Sequence, residues 1–239
     1  MGNENKKGLN TNSNVYTIIY SVILVVIVAF LLAFVSKSLE NKQKENVALD
    51  KKKQILYALN IRDLNDALAE QKYKEVVKSD DVLGEESKEG NENNGFKLNS
   101  GDYKAGKLAV FNCEVDGQVK YVIPVYGMGL WGAISGYVAL DADKQTVFGA
   151  YFNHESETAG LGAEIKDNTD WQKKFIGKKL FKEGSDDIAL GVMKTVDDQD
   201  TQVDAVTGAT LTSDGVSLML KECLGKYKEF LKSEGGAEK

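Results

Sequence analysis

The sequence predicts an α+β protein: a single N-terminal transmembrane helix, a helical stalk, and then an α+β domain. Three patterns point to this. Residues 15–35 (VYTIIYSVILVVIVAFLLAFV) contain no charged side chain. Residues 36–78 set Leu49, Ile55, Leu56 and Leu59, then Leu64, Leu68 and Val76, at helical spacing. Strand-like alternation is grouped within residues 107–153, and an amphipathic stretch closes the chain at 213–232. Strands grouped together and flanked by helices are the pattern of an α+β domain, not of alternating βαβ units.

The uncharged run would rise about 31 Å as a helix, matching a hydrocarbon core of about 30 Å. Tyr16 and Tyr20 lie near one end, at headgroup level. A cleavable signal peptide is the rival. Its apolar core is shorter and ends in a small-x-small site, whereas Ala33-Phe34-Val35-Ser36-Lys37 is a poor one, so the run is read as an anchor. Met1-Gly2 opens no myristoylation motif, because Lys6 stands where Ser or Thr is required. Lys6 and Lys7 precede the span, and Lys37, Lys42, Lys44, Lys51, Lys52 and Lys53 follow it. That count alone would hold the large domain in the cytoplasm, but the rule is weak for long domains and does not settle the side.

After a weak point at Asn60 the helical pattern resumes, and residues 84–95 (GEESKEGNENNG) read as a polar loop. Strands at 107–115 and 118–125 flank Asp116-Gly117, a tight-turn dipeptide. A second pair, 132–140 and 146–153, surrounds residues 141–144. A short helix is expected around 169–180, with Trp171 and Phe175 on one side, and a strand at 188–195. The last helix, 213–232, would bury Val216, Leu220, Cys223, Leu224, Tyr227 and Leu231. Residues 1–14 are then an N-terminal segment, cytoplasmic where the folded domain crosses the membrane, 15–35 the span, 36–95 the stalk and loop, 96–232 the folded domain, and 233–239 a frayed tail.

Of 239 residues, 30 are basic and 36 acidic, a net charge of −6. This argues against nucleic acid, whose phosphates need clustered Lys and Arg. Two cysteines make no disulfide scaffold, and both read as buried thiols. His154-Glu155 lacks the second His of a zinc helix, and Asp141-Ala142-Asp143 fits a turn as well as a phosphate site. No metal site and no catalytic residue are assigned.

Residues 204–213 (DAVTGATLTS) differ. They set hydroxyls and a Gly-Ala pair at the mouth of the last helix, with Thr212 or Ser213 where an N-cap belongs. Unpaired amides and the positive helix end there suit a phosphate. The same residues also serve as plain capping and turn residues, and spacing does not decide between the two.

Asp204, Thr207, Gly208, Ala209, Thr210 and Thr212 together resemble the covalent flavinylation motif of the FMN-binding domain family, with Thr207 where Ser is usual. Glu157-Thr158-Ala159-Gly160-Leu161-Gly162 resembles that family's E-T-P-G-L-G loop, with Ala159 in place of Pro. Residues 127–132 (GMGLWG) resemble the G-x-G-L-W segment of the C-type subunits of Na(+)-translocating NADH-quinone reductases.

The resemblance implies FMN covalently joined to Thr212 through a phosphoester, attached by a flavin transferase from FAD with a divalent metal. Asp204 would present the motif to that transferase. Thr158, Leu161 and Trp131 would contact the ring, with Gly160 and Gly162 permitting close approach; for Trp131, ordinary core packing is the second reading. It further implies an electron-carrying subunit held in membrane lipid of the bacterial inner membrane, with its flavin domain on the periplasmic side and no complete active site of its own. Other subunits of the complex would handle NADH, quinone and sodium. The G-type subunits of Rnf-type electron transport complexes share this layout and are the nearest alternative. A cofactor-free, membrane-anchored envelope scaffold is the alternative of another class.

Overall fold

The computed structural model describes residues 11, 13–85 and 94–233. Most of the N-terminal segment, the middle of the polar loop and nearly all of the expected tail lie outside the described residues. The chain divides into two units, Met1–Ala48 and Leu49–Lys239.

Helix α1 runs Asn14–Ala58. Ser13 opens it, its hydroxyl accepting from the amide of Tyr16 at 3.1 Å. Among the described residues α1 is the one helix long and apolar enough to cross a bilayer, and none of its apolar window is buried by protein. A surface that apolar is stable where lipid replaces water, so the first unit fits a single-pass anchor.

In the second unit α1 stops where expected. Asn60 takes a left-handed conformation (φ 61°), and the amide of Ile61 reaches back to the Leu56 carbonyl at 2.9 Å, the C-terminal cap for which Asn substitutes for Gly. Helix α2 (Asp66–Val76) starts at Asn65, whose side chain accepts from the Leu68 amide at 2.9 Å. The helical pattern does not reach residue 78. Strand β1 (Val77–Val82) begins there instead and pairs antiparallel with β2 (Ala109–Val115). Its VKSDDV sequence hides the strand because Asp80 is buried, accepting from the Phe96 amide at 2.7 Å.

Between β1 and β2 lie a 3-10 turn (Gly95–Lys97) and the five-residue α3 (Ser100–Lys104). Strand β3 (Gln118–Met128) follows β2 through Asp116 and Gly117, at φ 51° and 75°, as a hairpin turn requires. Strands β4 (Ala133–Leu140) and β5 (Val147–His154) complete a meander in the order β1-β2-β3-β4-β5.

Alternate residues along these strands feed two cores, because successive side chains point to opposite faces. Ile123, Val125, Val138 and Phe152 pack with the C-terminal helices. Phe111, Val122, Tyr137 and Tyr151 pack with Ile55, Leu56, Leu59 and Ala69. On the first face lie α4 (Glu164–Asp167), α5 (Thr169–Lys173), a parallel pair β6 (Gly191–Met193) and β7 (Gln202–Asp204), α6 (Thr210–Lys226) and α7 (Lys228–Lys232). The helix expected around 169–180 is therefore one turn and the strand at 188–195 three residues. The long last helix breaks at Tyr227, whose hydroxyl donates to the Ala109 carbonyl at 3.0 Å. Cys113 is buried, Cys223 half-buried, and both are free thiols.

Lys51 gives this unit a testable pH dependence. Its ammonium donates to the carbonyls of Phe96 and Leu98. Burial lowers it from its ordinary 10.5 to about 8, against the pull of Asp80. Between those values the unfolded chain holds a proton that the folded chain has released. Stability should therefore rise with pH from about 8 to about 10.5, by up to about 3 kcal/mol. Melting curves of the detergent-solubilised chain across that window should lose this part of the slope in Lys51→Met.

Candidate functional site

The three segments singled out in the sequence meet at one buried pair. The turn after β3 is closed by the Gly129 amide donating to the Gly132 carbonyl at 2.8 Å. It aims the amides of Trp131 and Gly132 at Glu157 Oε1, at 2.9 and 3.4 Å. Glu157 follows β5, and its own amide donates to His154 Nδ1 at 3.2 Å. From α6 the hydroxyl of Thr212 donates to Glu157 Oε2 at 2.5 Å. Glu157 is 7% exposed and Thr212 2%. Burial works against the Glu157 charge. The Thr212 hydroxyl and the two amides outweigh it and hold the carboxyl below its usual range.

Glycine makes this meeting possible. A Cβ on Gly162 would stand 2.6 Å from both Glu157 Oε2 and Thr212 Oγ1, and one on Gly129 would stand 2.5 Å from Glu157 Oε1. Gly208 holds φ at 78° with the Leu161 side chain against it, a conformation glycine adopts without strain.

Helix α6 begins three residues before the expected start. Its N-cap is Ala209, without a side-chain cap bond, so Thr212 is the third residue of the helix and neither Thr212 nor Ser213 caps it. Their hydroxyls are taken by tertiary partners: Thr212 by Glu157, and Ser213, which accepts from the Val206 amide at 3.1 Å. Asp204 stands apart from the pair. Its carboxylate meets the Lys174 ammonium at 2.8 and 2.9 Å, and its carbonyl accepts from Trp171 Nε1 at 2.8 Å. Thr207 and Thr210 are exposed at the helix mouth, with Ala209 buried between them. Thr158 contributes its carbonyl, which accepts from the Leu161 and Ala163 amides, and Gly160 (φ 72°) turns the loop.

Trp131 is 67% exposed and so is no core residue. With Met128, Leu130, Leu161 and Leu211 it makes up half of the exposed large apolar side chains beyond Ala48 among the described residues. Each lies at the β3–β4 turn or next to Thr212 or Gly162 in the chain, in the segments that form the polar pair. Such concentration marks a binding surface. Clefts of about 490 and 360 Å³ flank the site, one lined by Met128, His154 and Met219, the other by Gly160, Trp171, Lys174 and Thr207. Sequence reasoning missed His154, Leu130 and Leu211. The signal for Leu211 was an apolar residue among small and hydroxyl-bearing ones, and Leu130 lay inside the 127–132 segment already singled out.

A family model for the FMN-binding domain matches residues 129–225, which contain the whole hydrogen-bonded network. The crystal structure of the C-type subunit of Na(+)-translocating NADH-quinone reductase from Parabacteroides distasonis is 37% identical, with a TM-score of 0.72, over 82% of this chain and 98% of that one. The chain belongs to the NqrC family, the C-type subunits of Na(+)-translocating NADH-quinone reductases. Curated members agree: that of Haemophilus ducreyi is 41% identical over 51% of this chain and 47% of its own length, and that of Pseudomonas aeruginosa 42% over 49% and 46%. The chain thus spans about half the length of the curated relatives it matches. Shewanella oneidensis NqrC, 23% identical with a TM-score of 0.62, shares the fold. This NqrC-family member shares its α+β architecture with the Parabacteroides structure.

Proposed function

We propose that this chain is an electron-transfer subunit of a membrane-bound Na(+)-translocating NADH-quinone reductase and carries FMN covalently, as a phosphoester on Thr212. The observation that supports this most is the convergence of residues 127–132, 157–162 and 204–213 on the buried Thr212–Glu157 pair.

The residues fit the group. The glycines clear space around the hydroxyl, the N-terminal end of α6 favours the phosphodiester's negative charge, and Leu130, Trp131, Leu161 and Leu211 offer apolar surface to a ring, with Thr158 at its edge. When bound, the flavin supplies the redox chemistry, and the protein fixes its position and surroundings. The Lys174–Asp204 pair lies beside the second cleft, where Asp204 presents the motif to a flavin transferase.

Residues 15–35 span the bacterial inner membrane, and residues 96–232 form the flavin domain, on the periplasmic side as the family resemblance implies; the flanking lysines do not oppose this, because long domains translocate largely regardless of them. Other subunits handle NADH, quinone and sodium.

In-gel fluorescence after denaturing electrophoresis of native-host membranes tests the proposal. A fluorescent band near 26 kDa is expected, with FMN mapped to the Thr212 peptide. A dark band in a host with active transferase would overturn it and leave an anchored scaffold.

A further inference from the structure

Thr212 and Glu157 lie 55 residues apart in sequence, yet form the shortest contact of the site, with the hydroxyl proton directed at Oε2. Given that Thr212 is the attachment point, as proposed above, we infer that Glu157 is the acid–base group of the attachment reaction: its carboxylate takes the Thr212 proton as Oγ1 attacks phosphorus, and then retains it beside the new ester.

The arrangement has the parts of an activated nucleophile. Thr212 Oγ1 is the nucleophile, Glu157 Oε2 the base within hydrogen-bond reach, and the Trp131 and Gly132 amides hold the base by its other oxygen. Thr212 is buried in the unmodified chain, so attachment includes a local opening, and the bond to Glu157 keeps Oγ1 oriented through it. In the step, the bond from Oγ1 to phosphorus forms and the phosphoanhydride bond of a flavin dinucleotide breaks. The nucleoside monophosphate leaves with the electron pair, the proton passes to Oε2, and nothing is oxidised or reduced.

Charge requires that the proton stay. Before the step the pocket holds one negative charge, on Glu157. Afterwards it would hold two, on the phosphodiester and on Glu157, if the proton escaped, and two anions sharing a buried site cannot both remain charged without a large penalty. A neutral Glu157 keeps the total at one and can donate a hydrogen bond back to an ester oxygen. Facing Glu157 are Thr212 from α6, the two amides from the β3–β4 turn, and His154 from the end of β5. The Thr212 hydroxyl and the two amides favour the carboxylate, so the group is charged and able to accept at neutral pH.

The full-length chain in detergent, supplied with FAD, a divalent metal and flavin transferase, gives the test as the rate of covalent fluorescence uptake. Glu157→Gln preserves shape and the bonds from the amides but removes the proton acceptor, and attachment should slow by about 10²- to 10⁴-fold. Glu157→Asp should retain more of the rate. The wild-type rate should fall as pH drops through the Glu157 titration, a dependence absent in Glu157→Gln. Carbon NMR of labelled wild-type protein supplies a readout that does not depend on any variant folding. The Glu157 carboxyl should titrate below the usual carboxylate range before attachment and above it afterwards. Wild-type rates in a folded Glu157→Gln chain, or an unmoved Glu157 titration, would overturn the role of Glu157 and leave the Thr212 assignment standing. A wild-type chain that takes up no flavin would overturn both.

Discussion

Thr212→Ala should yield a folded, membrane-bound protein with no covalently held flavin. The methyl fills part of the space of the lost side chain, and Glu157 keeps its bonds to the Trp131 and Gly132 amides. The cost is one charge-assisted hydrogen bond in a buried pocket, about 1.5–3 kcal/mol, a fraction of the stability of a domain with two cores. The loss of flavin should be complete, since no other hydroxyl at the helix mouth shares this setting. Thr207 and Thr210 are exposed, and Ser213 is committed to the Val206 amide. Thr212→Ser keeps an oxygen where Glu157 can accept its proton and should keep the label. Fluorescence of the denatured protein, with mass analysis of the peptide, separates covalent from dissociable flavin. Retained covalent label in Thr212→Ala, or label mapped to Thr207 or Thr210, would contradict the assignment.

Much of the architecture was legible where local chemistry is unambiguous. The uncharged run of α1, the weak point at Asn60, the Asp116-Gly117 turn and the strands around it each follow from a few adjacent residues. What escaped depended on distant partners. β1 reads as polar because Asp80 is paired inside the fold, and its place at the sheet edge is decided by β2. β6 and β7 are three residues each, too short for an alternation pattern to register. The start of α6 was displaced because Thr and Ser before a helix suggest caps, whereas these hydroxyls bind a glutamate 55 residues earlier and a loop amide. The site followed the same rule. Its three segments were recognisable by resemblance, but the hydrogen bond joining two of them, and the exposure that removes Trp131 from the core, belong to tertiary structure.

Gly162 tests the pocket more sharply than either member of the pair, because it acts on both without supplying a functional group. In Gly162→Ala the new methyl would stand 2.6 Å from Glu157 Oε2 and from Thr212 Oγ1, and 3.1 Å from Glu157 Cβ. No side chain tolerates such contacts, so the carboxylate and the hydroxyl must separate. Overpacking of this kind costs about 1–3 kcal/mol, which should lower the melting temperature. Separating the oxygens also forfeits the bond that orients Oγ1, so flavin attachment should slow by about tenfold or more. Gly177→Ala, outside the site, is the control. There the backbone is left-handed (φ 80°) and a Cβ meets nothing within 4 Å. Its cost is conformational, roughly 1–2 kcal/mol, and leaves the pair untouched. Melting curves and time courses of covalent labelling should therefore diverge: both variants lose stability, and only Gly162→Ala loses attachment rate. Equal labelling rates in the two would mean that the 2.5 Å contact between Thr212 and Glu157 plays no part in attachment.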